Sequence, residues 1–385
     1  MESRPKIYAT AAFVAGALVC LAFKDVYPDL ERRYRRRFGA KKTLKDTFHS
    51  VDDHVELQDR ESQSLESLDV TSGIEGCIGN TPLIKIKSLS DATGCEILAK
   101  AEFMNGGGGS PKDRVALSII DRVRCMPSDQ AVEKSELLLK LGAIVERVPP
   151  APIIDPEHFV NRARRLALKH AGNPELSGRG YFADQFENEA NWHAHFDGTG
   201  PEIFRQCNGR VDAFVAGAGT GGTIAGVASY LEPRLPLVKV VLADPQGSGL
   251  YNRIKYGVMF DTREKEGTRR RQQVDSIVEG IGINRVTANF EVAREMIHDA
   301  VKVDDDQALA MAKWLVEKDG IFVGSSSAVN CVAATIYALK MGPGHRVVTI
   351  LCDSGSRHLS KFWKMAGNVG AKTDTKLDEI VGSSP

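Results

Sequence analysis

From Ile74 onward, short apolar runs rich in β-branched residues alternate with stretches whose apolar positions recur every three or four residues. Four of the runs, "EILAKAE" (Glu96–Glu102), "VDAFVAGAG" (Val211–Gly219), "VKVVLADP" (Val238–Pro245) and "RVVTILCD" (Arg346–Asp353), are too continuously apolar for a half-solvated strand. They predict parallel strands buried on both faces. Between them, "AVEKSELLLKLGA" (Ala131–Ala143) and "DQALAMAKWLVEK" (Asp306–Lys318) carry the helical period. Strands alternating with helices of this length predict an α/β fold around a covered parallel sheet, with no internal repeat.

The N-terminal pattern is different. Ile7–Phe23, "IYATAAFVAGALVCLAF", holds seventeen residues without a charge, and "RRYRRRFGAKK" then brings seven basic residues between Arg32 and Lys42. An apolar run at the short end of a membrane span, with positive charge on its C-terminal side, predicts a signal anchor that leaves the body on the cytoplasmic face. A cleaved secretory signal would place its charge before the run, and a mitochondrial presequence would be amphipathic. From Thr43 to Thr71 the chain is polar and acidic and reads as a tether. The expected organisation is an anchor at 1–24, a tether at 25–72, a body at 73–368 with a smaller domain around 113–150, and a tail at 369–385.

Composition narrows the picture only slightly. Fifty basic and fifty acidic side chains cancel in 385 residues, so bulk charge gives no reason to expect a nucleic-acid partner. Seven cysteines, at positions 20, 77, 95, 125, 207, 331 and 352, are scattered and never spaced C-x-x-C. That pattern predicts reduced thiols and no zinc ribbon. His193 and His195 could share one side of a strand, but without a third ligand they read better as a wet loop than as a metal site.

Two glycine-rich stretches carry candidate chemistry. "AGAGTGGTIAG" (Ala216–Gly226) follows a predicted strand and opens a helical segment, placing uncovered backbone N–H groups at a helix N-terminus where a phosphate dianion is stabilised. A dinucleotide fingerprint and simple tight packing are the other readings of that pattern. "NGGGGSPKDR" (Asn105–Arg114) presents Lys112 from a bare loop at the start of a helix. A lysine in such a setting can have a lowered pKa and condense with an aldehyde. Phosphate cradle and aldehyde-binding lysine together suggest pyridoxal phosphate, and the hydroxyls of "GIFVGSSSAVN" (Gly320–Asn330) could meet its ring nitrogen.

"GNTPL" (Gly79–Leu83), "NGGGGSPKDR", "DQFEN" (Asp184–Asn188), "GTGGT", "GIFVGSSSA" and "DSGSRH" (Asp353–His358) occur in the order that resembles fold type II pyridoxal-phosphate enzymes of the cysteine synthase and cystathionine β-synthase family. The resemblance spans roughly Gly73–Ser360, and the N-terminal anchor is similar to that of membrane-bound fungal members that sit on mitochondria. It implies a two-domain, tryptophan synthase β-like α/β body. It further implies a homodimer, an outer-membrane location with the body facing the cytosol, and replacement of the acetoxy group of O-acetylserine by sulfide. Serine/threonine dehydratase and cysteine desulfhydrase are related activities. Carried onto this chain, the resemblance makes Lys112 the cofactor-binding lysine and the acid–base for the α-proton. Gly219, Thr220, Gly221, Gly222 and Thr223 become the phosphate cradle, Ser326 the partner of the ring nitrogen, and Gln185 a substrate-carboxylate contact. "EGIGI" (Glu279–Ile283) would line the amino-acid pocket.

One departure stands out. In the family a strand, a substrate-binding loop, a helix and a return strand follow the lysine helix, whereas here "DRVALSIIDRVR" runs directly into "CMPSDQAVEKSELL". A unit of that kind needs on the order of thirty residues. The chain is therefore expected to lack one strand-loop-helix unit between Arg124 and Cys125, and with it most of the carboxylate site. A tethered scaffold without catalysis is the competing reading. The extra glycine and Pro111 in the lysine loop predict only local adjustment.

Overall fold

Six strands make the central sheet of the computed structural model, which describes residues 73–118, 123–127, 131–140, 144–149, 151, 154–173, 181–259, 276–368 and 376–382. The chain divides into two units, Met1–Val70 and Thr71–Pro385, and all described residues belong to the second. The anchor expected at 1–24 and the tether expected at 25–72 lie outside them. Among the described residues no helix is long and apolar enough to cross a membrane.

The strands are β1 (Leu83–Lys85), β2 (Glu96–Ala101), β3 (Val123–Pro127), β4 (Ile144–Val148), β5 (Ala213–Gly217), β6 (Lys239–Pro245), β7 (Ile297–Val303) and β8 (Arg346–Leu351). The main sheet runs β1-β2-β8-β5-β6-β7, parallel except for β1 against β2. β3 and β4 form a separate parallel pair. All four apolar runs become β2, β5, β6 and β8. β7, "IHDAVKV", is an edge strand whose polar residues hid it from the pattern of continuous apolar runs.

The helices in chain order are α1 (Lys87–Thr93), α2 (Lys112–Ser118), α3 (Val132–Lys140), α4 (Phe159–Ala171), α5 (Ala190–Ala194), α6 (Gly200–Gln206), α7 (Gly222–Leu231), α8 (Leu250–Tyr256), α9 (Ala288–Ala293), α10 (Asp305–Asp319), α11 (Ser325–Met341), α12 (Lys364–Asn368) and α13 (Leu377–Val381). α10 starts cleanly because Asp304 and Gln307 form a reciprocal capping box, and it stops at Gly320 in the left-handed conformation.

The two-residue period of the strands explains the layers. Ala213 and Val215 of β5, with Val241 and Ala243 of β6, face a core with α10 and α11. Their neighbours Phe214, Ala216, Val240 and Leu242 face a second core with α7. Both faces are thereby covered, as a parallel sheet requires. α13, inside the stretch expected as a tail, buries Leu377 and Ile380 in the first core. Ligands of such sheets bind at the carboxyl ends of the parallel strands.

Candidate active site

Lys112 begins α2, and the loop before it is firmly held despite its four glycines. The Asn105 side chain donates to the carbonyls of Glu102 (2.9 Å) and Ser110 (3.2 Å) and accepts from Gly79 N–H (2.9 Å). Asp113 accepts from Gly108 N–H at 2.7 Å and Ser110 N–H at 3.2 Å. Gly108 and Gly109 fit where larger residues would not: a Cβ at Gly108 would lie 2.7 Å from Asp113, and Gly109 has φ +69°. The loop's polar groups are satisfied internally.

The Lys112 amine points at the "EGIGI" loop, its Nζ lying 4.0 Å from where a Gly280 side chain would begin. The side chain is accessible from the open cleft, yet protein atoms crowd the amine closely enough that loss of solvation lowers its pKa. Asp353 opposes that shift, and Lys134 adds to it. Burial works against the Asp353 carboxylate too, but the His358 hydrogen bond (2.8 Å) and the nearby lysines hold it at about 2. Lys112 thus faces an ionised carboxylate, and burial favours its neutral amine more than in water.

The cradle lies where β5 ends. Gly221 has φ +85° at the N-cap of α7, and side chains at Gly219 or Gly222 would collide with the Gly280 carbonyl or with Asn191. Among the described residues, the amides of Thr220, Gly221 and Thr223 donate to no protein acceptor, while Gly222 N–H reaches the Thr220 hydroxyl at 3.3 Å. Unclaimed donors at a helix N-terminus fit a phosphate monoester, and the amine of Lys112 fits an aldehyde. The residues present therefore suit pyridoxal phosphate.

Ser326, 4% exposed, sits in the first turn of α11 beside Cys352. Burial drives that thiol up to about 12 although Ser326 and Lys112 pull the other way, so Cys352 stays a neutral neighbour of the lysine. Glu279 N–H donates to Ser325 Oγ at 3.0 Å, which ties the "EGIGI" loop to the same turn. Lys112, the cradle and Ser326 are thereby assembled around one loop. Gln185 is not: its side chain is exposed, and its backbone carbonyl instead accepts from Asn191 (2.7 Å) and Asn289 (3.1 Å).

Those two asparagines escaped the sequence reading. Asn191 also donates to Thr220 Oγ1 at 3.0 Å, and Thr287 Oγ1 donates to the Thr220 carbonyl at 2.7 Å. His195 escaped it more completely. Rather than lining a wet loop or a strand, it is 1% exposed in a helical turn, with Nδ1 paired to Thr199 Oγ1 at 2.9 Å and Nε2 to Thr223 Oγ1 at 3.2 Å. His193, two residues earlier, instead stacks on Trp192 in α5.

Burial lowers the His195 pKa from 6.5 to about 4. Between those values the unfolded chain binds a proton that the folded chain refuses, so stability falls as pH drops from 6.5 and this contribution levels off below about 4. The loss amounts to about 3 kcal/mol. We expect thermal midpoints measured from pH 7 to pH 4 to show this decline and His195→Gln, which can serve both hydroxyls without titrating, to flatten it. An equal slope in the variant would place the titration elsewhere.

The pyridoxal-phosphate dependent enzyme family matches residues 122–353, more than half of the chain. The chain belongs to that family. A protein named cysteine synthase 2 from Emericella nidulans is 58% identical over 441 aligned residues, taking in 100% of this chain and 99% of its own. A Saccharomyces cerevisiae relative, 49% identical over 80% of this chain and 88% of its own, carries both cysteine synthase and mitochondrial in its name. Among solved structures, the O-acetylserine dependent cystathionine beta-synthase of Helicobacter pylori has a TM-score of 0.63 at 26% identity, covering 76% of this chain and 99% of that one. Pyridoxal phosphate is thus the cofactor of this enzyme class, and Cys95, Cys207, Cys331 and Cys352 take part in no disulfide.

Proposed function

We propose that this site is built for the cysteine synthase reaction, in which sulfide replaces the acetoxy group of O-acetyl-L-serine. The observation that carries the reading is the assembly of Lys112, the donor-rich cradle Gly219–Thr223 and Ser326 around one loop, in a chain 58% identical to a cysteine synthase. Bound pyridoxal phosphate supplies an electron-accepting ring that takes up the electron pair left on the substrate Cα. The chain's own residues do the rest. The amides of Thr220, Gly221 and Thr223 hold the phosphate, and Ser326 offers a hydroxyl rather than an acid to the ring nitrogen. That choice limits how far the ring is protonated and suits elimination.

Lys112 would hold the cofactor through its amine and, once the substrate's own amine has displaced it, would be the base placed to take the α-proton. The Cβ–O bond breaks, acetate leaves with the bonding pair, and sulfide forms the Cβ–S bond before Lys112 returns a proton to Cα. Gln185 would serve the substrate carboxylate only after a movement that brings its exposed side chain inward. Incubation of the purified chain with pyridoxal phosphate, O-acetylserine and sulfide, with cysteine quantified, tests the reading. Formation of cystathionine when homocysteine replaces sulfide would instead favour the reaction in the name of the solved relative.

The body also lacks the unit that the family places between Arg124 and Cys125. Three observations support this. The junction falls inside β3, whose sheet has only β4 as a partner among the described residues. The family match opens at residue 122, after Lys112 and beside that junction. The alignment with the Emericella relative covers 441 positions against 385 residues here, leaving 56 positions unmatched in this chain. The apolar run Ile7–Phe23 with its basic flank supports an N-terminal membrane anchor, and the yeast relative's name points to the mitochondrion. Fractionation of the tagged chain with and without residues 1–24 tests the anchor, and gel filtration tests the homodimer.

A further inference from the structure

Behind Lys112, on the side of α2 away from the cleft, lies a cluster of charges that the proposed chemistry does not use. Residues two apart on a helix project roughly 200° apart, so Arg114 points inward while Lys112 points to the cleft. The Arg114 guanidinium is 6% exposed and engages two carboxylates at once. It donates from Nε and Nη2 to Glu102 (2.8 Å each), from Nη1 to Glu202 Oε1 (2.7 Å) and from Nη2 to Glu202 Oε2 (2.8 Å). Lys100, fully buried, donates to Glu202 at 2.7 Å and to Gln206 at 2.9 Å. Thr81 Oγ1 donates to Glu102 at 2.7 Å, and Asn80 N–H to Glu202 at 3.0 Å.

Two glycines make room for the guanidinium. Side chains at Gly79 and Gly198 would begin 3.2 Å and 3.1 Å from Arg114 Nη1. The "GNTPL" stretch therefore serves this cluster and not the cofactor directly. Burial works against the Glu202 carboxylate, but Arg114 and Lys100 outweigh it and hold the group at about 2. On Lys100 burial wins and lowers the pKa even beside Glu202. The two doubly bonded carboxylates nevertheless fix the Arg114 pairs as ionic.

Gathering two cations and two carboxylates out of water is a poor way to gain stability, because desolvation offsets most of the attraction. What such a cluster does supply is fixed geometry. Its members come from β2 and the turn after it, from α2, and from α6, so it locks the rotation of α2 about its axis. That rotation aims Lys112. His195, which holds Thr223 of the cradle, senses the charges of Glu102, Arg114 and Glu202 as well. The aim of the lysine and the placement of the cradle therefore share one support.

We propose that Arg114 is a positioning residue for the lysine–cofactor link, its double fork to Glu102 and Glu202 setting the direction in which Lys112 meets the cofactor aldehyde. The inference rests on the reading of Lys112 as the cofactor-binding lysine. The test uses the full chain and two ligands: pyridoxal 5′-phosphate, and pyridoxine 5′-phosphate, which fills the cradle but has no aldehyde to condense. Arg114→Lys keeps the charge and removes the planar fork. We expect affinity for pyridoxal phosphate to fall by about tenfold or more and that for pyridoxine phosphate to change by less than about twofold. The visible band of the linked cofactor should also titrate at a different pH.

Equal losses for both ligands would make Arg114 a purely structural residue, and no loss for either would remove it from the site; both overturn the proposal. If Arg114→Lys does not fold, Glu202→Gln, which keeps the side-chain shape and the Glu102 fork, is read in its place. The same selective loss supports the proposal, and its absence overturns it. A parent chain that gives no visible band overturns the reading of Lys112 and this inference with it. A band unchanged in the variants overturns the inference alone.

Discussion

Lys112→Ala is expected to erase the visible absorbance of the bound cofactor and to reduce cysteine formation by about a thousandfold or more, since general acid–base catalysis alone contributes about 10²–10⁴ and the covalent hold is lost as well. The cradle should survive the change. Its donors belong to the backbone of Thr220, Gly221 and Thr223, and none of their bonds passes through Lys112. Affinity for pyridoxine 5′-phosphate should therefore stay close to that of the parent chain while affinity for pyridoxal phosphate falls. Lys112→Arg sharpens the test, because the guanidinium keeps the charge beside Asp353 but can neither condense with an aldehyde nor give up a proton near neutral pH. A variant of either kind that retains the visible band would move the covalent role to another lysine.

The parts of this site that the sequence made legible are those whose chemistry is carried by contiguous residues. A glycine cluster after an apolar run reads as a phosphate cradle because strand, turn and helix follow one another along the chain, and Lys112 and Ser326 each sit in comparable local settings. The support around them is another matter. Arg114 finds Glu102 twelve residues away and Glu202 eighty-eight away, and no local pattern encodes a partner at that separation. Asn191 and Asn289 converge on the Gln185 carbonyl from α5 and α9, which looks in sequence like two unrelated asparagines. His195 was misread for the same reason: two histidines two residues apart suggest a shared face, but the local helix turns them apart and buries only one. β7 was missed because an edge strand needs only one apolar face, and its run is broken by charges. The continuously buried strands β2, β5, β6 and β8 gave no such difficulty.

Restoring the unit proposed to be missing between Arg124 and Cys125 is expected to raise activity of this chain by about a hundredfold or more, the scale on which loss of substrate positioning lowers catalysis. On the proposed reading the lysine and the cradle hold the cofactor, and the task of holding the amino acid with its α-proton toward Lys112 falls to other groups. In the family that task falls to the loop expected between Arg124 and Cys125. Here the chain passes through the junction inside β3, which pairs with β4 in a small sheet of two strands among the described residues. Its surroundings show what the unit would cover. Leu117 on α2, Leu137 and Leu139 on α3 and Ile144 on β4 are 49%, 46%, 56% and 71% exposed, apolar side chains that the proposed unit would cover. Grafting in the segment of the Emericella relative that faces this junction should bury them, raise the thermal midpoint and let O-acetylserine shift the visible band. Normal turnover by the ungrafted chain would refute the deletion, as would a graft that binds substrate no better than the parent. A grafted chain that gains both stability and turnover would locate the defect at Arg124–Cys125 and leave Lys112, the cradle and Arg114 as intact machinery.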